Sequence, residues 1–222
     1  MTLEHALLRR AGVRHGFGTR GSQAPAGTLR PRQVHGSLVV RAPACAGTPP
    51  EADAIVARTG EPPVSVVTAD CVPVLVAARG GAAVAAIHAG WRGLAAGVVE
   101  SGIDALRHES SADEPLVAVI GPHIGACCYE IDAPVLDALR HHLGEADHDA
   151  LEAASYESHP GHWMIDLGAL VRHSLERSGV AGDAIGGFDR ACTRCDAERF
   201  HSYRRDGPRA GRLQHWIAPA PS

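Results

Sequence analysis

Apolar and polar positions fall into short, unequal blocks along the chain. VRHGFGTR, residues 13–20, reads as a short strand, and the Gly-, Pro-, Ser- and Ala-rich residues 21–32 read as a loop. QVHGSLVV predicts a strand beginning near His35, and DAIVAR predicts another short one. PPVSVVTADCVPVLVAA holds two apolar runs interrupted at ADC and at Pro73, and GGAAVAAIH predicts a buried strand. From Gly93 to Arg107 the apolar residues recur at helical spacing. PLVAVIGPHIG predicts a strand that ends in a Gly-Pro turn. Residues 132–142 and 166–178 predict helices, with Asp132 and Asp166 as N-caps. The stretch between them, GEADHDALEAASYESHPGHW, is polar and poorly periodic. The segment from GFDR onward starts as loop or short helix and ends as a strand. Strands and helices alternate irregularly, without repeats, which predicts an α/β (α+β) fold of mixed β-sheets with surrounding helices, as one domain over 1–222.

Composition narrows the function classes. A chain of 222 residues has ample length for a core, and no segment approaches the roughly 18–20 apolar residues that span a bilayer. The N-terminus MTLEHALLRRAGVRHG has no continuous apolar region of a secretory signal, so a cytoplasmic location is expected. The formal net charge is −4 and every basic residue is Arg. No basic face is visible, so neither nucleic acid nor a membrane is an expected partner.

Six cysteines occur, Cys45, Cys71, Cys127, Cys128, Cys192 and Cys195. In a long chain without a secretory signal they read as buried thiols, metal ligands or nucleophiles rather than a disulfide framework. Three stretches share one arrangement: QVHG with His35, TADC with Cys71 and AAIHAGWRG with His88 each place a reactive side chain where an apolar run ends. Two imidazoles and a thiol form a suitable set for Zn²⁺, with a fourth position open. Taken singly, each of these residues also suits a packed or hydrogen-bonded structural role. Asp70 reads as an acceptor behind the ligands, a general base or a turn residue. Cys192-x-x-Cys195 has a generic metal or redox spacing and also suits structure. Arg204 and Arg205 suit an anion or an ion pair with Asp206, and His159 and His162 suit a solvated loop.

QVHG, TADC, HAGWRG, GPHIGACCYEI and CTRCDAERFHSYRRDGPRAGR, in this order over about residues 13–217, resemble the laccase-domain family. Its members are called polyphenol oxidoreductase laccases, peptidoglycan editing factors and multifunctional purine nucleoside phosphorylases. The resemblance implies a zinc ion, or copper, on His35, Cys71 and His88, and a fold like that of a deamidating toxin with a Cys–His pair. It implies phosphorolysis of adenosine, inosine or methylthioadenosine to base and ribose 1-phosphate, with adenosine deamination as a further reaction. Nucleoside and phosphate are then the small-molecule partners. Asp70 and Arg92 become the candidate catalytic residues, and Gln33, Trp91, Cys128, Glu130 and Arg204 the candidate substrate contacts. Arg92 can fork onto phosphate, beside the positive end of the helix expected near Gly93. An alternative takes Cys71 and His88 as nucleophile and base of an amide hydrolase acting on a peptidoglycan precursor. A copper phenol oxidase is the third reading, against which stands the absence of any His-x-His pair among 14 His. The family carries some tens of residues between its first strand and QVHG, where this chain has only GSQAPAGTLRPR. Any substrate contact made by that insert is missing or replaced.

Overall fold

A computed structural model describes residues 2–110 and 113–221. Among the described residues a six-stranded mixed sheet runs in the order Ile185–Gly186, Leu116–Ile120, Val72–Ala78, Ala83–Ala89, Ala54–Arg58, Val39–Arg41. Its two outer pairs are parallel and the inner ones antiparallel. The central strands are buried on both faces and therefore read as unbroken apolar runs. Val72, Val74 and Val76 face a helical layer built from Val98–Glu109, Ala133–Leu143 and Leu167–Arg177. Leu75 and Ala77 face the other way, onto a three-stranded antiparallel sheet ordered Arg14–Gly16, Leu213–Ala218, Val64–Thr68. Gly102 lets the first helix approach closely, since a Cβ there would sit 2.5 Å from Ile87 Cδ1. No helix among the described residues is long and apolar enough to cross a membrane. The mixed α/β architecture matches the expectation from the alternating pattern.

Several local expectations are corrected. QVHG does not open a strand: His35 and Gly36 form a bend, and pairing begins only at Val39–Arg41. His35 adopts φ 61, a left-handed conformation incompatible with regular strand geometry. The helix expected from Gly93 to Arg107 is two helices, Trp91–Ala95 and Val98–Glu109, broken where Gly97 takes φ 80. Asp132 occupies its N-cap position without a side-chain cap bond, whereas Asp166 accepts from Ala169 N. The polar stretch after residue 143 folds into the short helix His148–Ala153 and the antiparallel pair Ser155–His159 and His162–Ile165. Pairing there involves exposed side chains, so no apolar alternation marked it in the sequence.

His215 lies fully buried between the two sheets. Gly18 N–H donates to its Nδ1, which leaves the proton on Nε2, directed at Thr68 Oγ1 2.8 Å away. Burial, with the charge of His88 second, pushes its pKa down from 6.5 to about 3. The unfolded chain then binds more protons than the folded one across that window, so stability rises with pH there. The protein is expected to lose stability progressively as pH falls from 6.5 toward 3. The His215→Asn variant should show a shallower acid slope in denaturant titrations across the same pH series. Equal slopes would place the acid sensitivity elsewhere, on His15 or His123, whose pKa values burial also lowers.

Candidate metal and substrate site

The site begins with a carboxylate. Asp53, fully buried at the start of its strand, accepts from the backbone N–H groups of Val34, His35 and Gly36 at 3.1, 2.9 and 2.7 Å. The same carboxylate accepts from His88 Nδ1 at 2.8 Å, while His88 N–H donates to the Asp53 carbonyl. This fixes the His88 tautomer, with Nε2 free of the Asp53 contact, in the manner of a carboxylate behind a metal-binding imidazole. It also explains the bend at His35, because three consecutive amides must converge on one side chain.

His35, Cys71 and His88 each offer a ligand atom within 4.8 Å of the others. The two imidazole rings meet edge to face with centroids 4.9 Å apart. His88 is 3 % exposed, Cys71 is half-buried and His35 is exposed at the mouth. Burial raises the Cys71 thiol, but hydrogen bonds from His35 and His88 outweigh it and bring the pKa down to about 6. Burial lowers His88, and Asp53 and Cys71 outweigh it, raising the pKa to about 9. Thiolate and imidazole thus share a proton that metal binding would release. The donor set, N, N and S, fits Zn²⁺ with a position left open. The backbone approaches closely too: a Cβ on Gly90 would lie 3.0 Å from Cys71 Sγ and 3.1 Å from His35 Cδ2, so any larger residue there would crowd the ligands.

These groups line a cavity of about 820 Å³ shared with Arg30, Arg32, Trp91, Arg92, Tyr129, Tyr203, Arg204 and Arg212. That volume suits a drug- or nucleoside-sized ligand. Asp70 adjoins Cys71 at φ 92, and its carboxylate accepts from Thr193 Oγ1 at 2.6 Å, Ser202 Oγ at 3.0 Å and Arg204 N at 2.6 Å. It is an acceptor that ties loops together, with both oxygens engaged. Gln33 lines the cavity, yet its amide pairs with both the N–H and the carbonyl of Val67 at 2.8 Å. The Arg92 guanidinium stacks on Trp91 at 4.2 Å, and Arg204 stacks on Tyr129 at 5.0 Å. The helix behind Arg92 starts at Trp91 rather than near Gly93 and has five residues, so its dipole adds little. Cys128 does not line this cavity; its sulfur lies 3.3 Å from Cys195 Sγ. Glu130 lines an adjoining recess with Trp91 and Arg204, and accepts from Ser158 Oγ at 3.1 Å.

With this geometry in view, the family described as multi-copper polyphenol oxidoreductase laccase matches residues 14–220. The chain belongs to that family. A Xylella fastidiosa relative named purine nucleoside phosphorylase is 40 % identical, the match covering 82 % of this chain and 68 % of that protein. A solved Neisseria meningitidis protein superposes with TM-score 0.76 at 38 % identity, covering 86 % of this chain and 74 % of that one. YlmD from Geobacillus stearothermophilus gives TM-score 0.84 at 25 % identity over 98 % of both chains. In this laccase-family chain the residues that sequence reasoning missed are Asp53, Thr193, Ser202 and the cavity aromatics Tyr129 and Tyr203. Asp53 carried one signal, an acidic residue heading an otherwise apolar run. The hydroxyls carried none, because their partner is more than a hundred residues away.

Replacing Asp53 with Asn removes the charge that orients His88. Loss of such a partner is expected to weaken metal binding roughly 10–100-fold. Chelator competition on the folded variant measures it. Unchanged affinity would show that the His88 orientation does not depend on this carboxylate.

Proposed function

We propose that this chain, acting as one laccase-like domain over 1–222, is a zinc-dependent purine nucleoside enzyme of the cytoplasm. It would split adenosine, inosine or methylthioadenosine with phosphate into base and ribose 1-phosphate, and deaminate adenosine as a second reaction. The observation that carries this reading is the meeting of His35, Cys71 and His88 inside an arginine- and aromatic-lined cavity of about 820 Å³. The names of the relatives point the same way. His35, Cys71 and His88 would hold the zinc, which would supply Lewis-acid polarisation of a substrate or water oxygen. Tyr203, exposed at the cavity wall, offers a face on which a purine can stack, while the Trp91 and Tyr129 rings carry Arg92 and Arg204. Arg92 supplies a planar fork for phosphate, while Arg204 is held over Tyr129 by its bond to the Glu130 carbonyl. Asp70 acts by holding the Arg204 backbone at the cavity wall.

One observation favours a second reading. Cys71, His88 and Asp53 are also ordered as nucleophile, base and orienting acid, with Asp53 on His88 Nδ1 at 2.8 Å. A metal-free protein that hydrolyses an amide of a peptidoglycan precursor would favour that reading over the zinc enzyme. Copper content with phenol oxidation would favour the third.

The deciding experiment is elemental analysis of purified protein beside a nucleoside-plus-phosphate product assay. Arg92→Lys keeps the charge but loses the fork. Loss of a charge-assisted hydrogen bond costs about 1.5–3 kcal/mol, so the phosphate-dependent rate should fall roughly tenfold to a hundredfold with metal content unchanged. Deamination should suffer less, since it takes no phosphate. Equal losses in both reactions would make Arg92 a general support or a nucleoside contact.

A further inference from the structure

A cluster of four cysteines lies outside the cavity. Cys127, Cys128, Cys192 and Cys195 come from two loops, and their four sulfur atoms all lie within 4.8 Å of one another. The loops are joined by a parallel bridge between His123 and Cys192, with Thr193 N–H donating to the His123 carbonyl at 3.0 Å. We propose that these four thiolates form a structural zinc site, separate from the one at His35, Cys71 and His88.

The spacing is the first support. Four sulfurs at about 2.3 Å from a tetrahedral zinc stand about 3.75 Å apart. Cys127 and Cys195 Sγ are 3.7 Å apart, and Cys128 and Cys195 Sγ are 3.3 Å apart. Thiols are weak hydrogen-bond donors and acceptors, so mutual attraction between them gives little reason for four to gather. The surroundings are the second support. Gly125 N–H donates to Cys192 Sγ at 3.3 Å, and Arg194 Nη1 donates to Cys128 Sγ at 3.4 Å. N–H donors to sulfur favour thiolate over thiol, and a zinc bound by four thiolates carries excess negative charge that an adjacent guanidinium offsets. The ligand types select zinc over the hard cations.

The site would act on the cavity at a distance. Thr193, between two of the cysteines, donates to Asp70 at 2.6 Å, and Arg205 Nη1 donates to the carbonyls of Thr193 and Arg194. A cation tying residues 127–128 to 192–195 therefore holds the loop that engages Asp70, next to Cys71. The function is a staple, with all four positions filled by protein and none open to substrate.

Elemental analysis of protein purified under reducing conditions tests this. Wild type should carry about two zinc ions per chain. Cys192→Ser and Cys71→Ser should each leave one, by emptying different sites. Should Cys192→Ser not fold, cobalt(II) titration of metal-stripped Cys71→Ser replaces it: an intense thiolate-to-cobalt charge-transfer band supports the four-sulfur site. A single zinc that disappears with Cys71→Ser, iron in place of zinc, disulfides among the four cysteines, or no such band overturns the proposal. The reading of the cavity stands or falls separately, on the zinc lost with Cys71.

Discussion

A fully buried carboxylate is costly unless several donors compensate for the water it has lost, and Asp53 meets that condition with four. Its three backbone donors are consecutive, so the chain from Val34 to Gly36 must wrap around one side chain. Its fourth donor is the imidazole of a residue on the neighbouring antiparallel strand. Two segments far apart in sequence are thereby fixed to a common point, and His35 is turned toward His88 as a geometric consequence. The same bond sets the charge of the site. Asp53 pulls a proton onto His88, and His88 with His35 pulls Cys71 toward thiolate. One buried acid thus fixes where His35 and His88 stand and favours the charged form of His88.

Asp70 repeats this logic on the other side of Cys71. Its left-handed φ of 92 ends the run before the strand Val72–Ala78, and its carboxylate gathers the hydroxyls of Thr193 and Ser202 with the Arg204 amide. The C-terminal loop, which has little regular structure of its own, is held to the sheet by this acceptor. Arg205 adds bonds to the carbonyls of Thr193, Arg194 and Phe200 and pairs with Asp206 at 2.8 Å. Guanidinium groups here satisfy loop carbonyls that no strand partner reaches. The two acids are therefore the joints through which loops without periodicity acquire fixed positions.

This division explains what could be read from the chain. The run AVAAIHA announced a buried strand because both its faces meet apolar layers, whereas the strand Val72–Ala78 runs through Pro73, where an interruption was expected, and the helices Ala133–Leu143 and Leu167–Arg177 lie within a residue of their expected bounds. His35, Cys71 and His88 stood out as reactive groups at the ends of apolar runs, and the structure brings them together. Periodicity misled at QVHG, where a hydrogen-bonded acid overrides strand propensity, and at Gly97, where a left-handed glycine divides one amphipathic pattern between two helices. The hairpin around Gly161 was silent because its side chains are mostly exposed and carry no alternation. Thr193 and Ser202 were silent for a different reason: a side-chain bond across more than a hundred residues leaves no trace in local pattern.

The short segment before Gln33 bears on how the cavity treats charge. In this chain Arg30, Pro31 and Arg32 line the cavity beside Gln33, so the segment GSQAPAGTLRPR contributes cationic wall. The arginines there are not equivalent. Arg32 pairs with Glu51 at 2.6 Å, Arg204 donates to the Glu130 carbonyl, and Arg212 donates to the carbonyls of Ala210 and Gly211. Arg30 and Arg92 form no ion pair among the described residues, and Arg92 rests on the Trp91 ring. A guanidinium on an aromatic face keeps its N–H edge directed outward while its plane is held, which preorganises it for a bidentate anion at small entropic cost. On the proposed reading, phosphate meets the two arginines of this wall whose guanidinium groups form no ion pair among the described residues, Arg30 from the segment before Gln33 and Arg92 from the helix after His88. The remaining arginines are tied to the wall by these bonds.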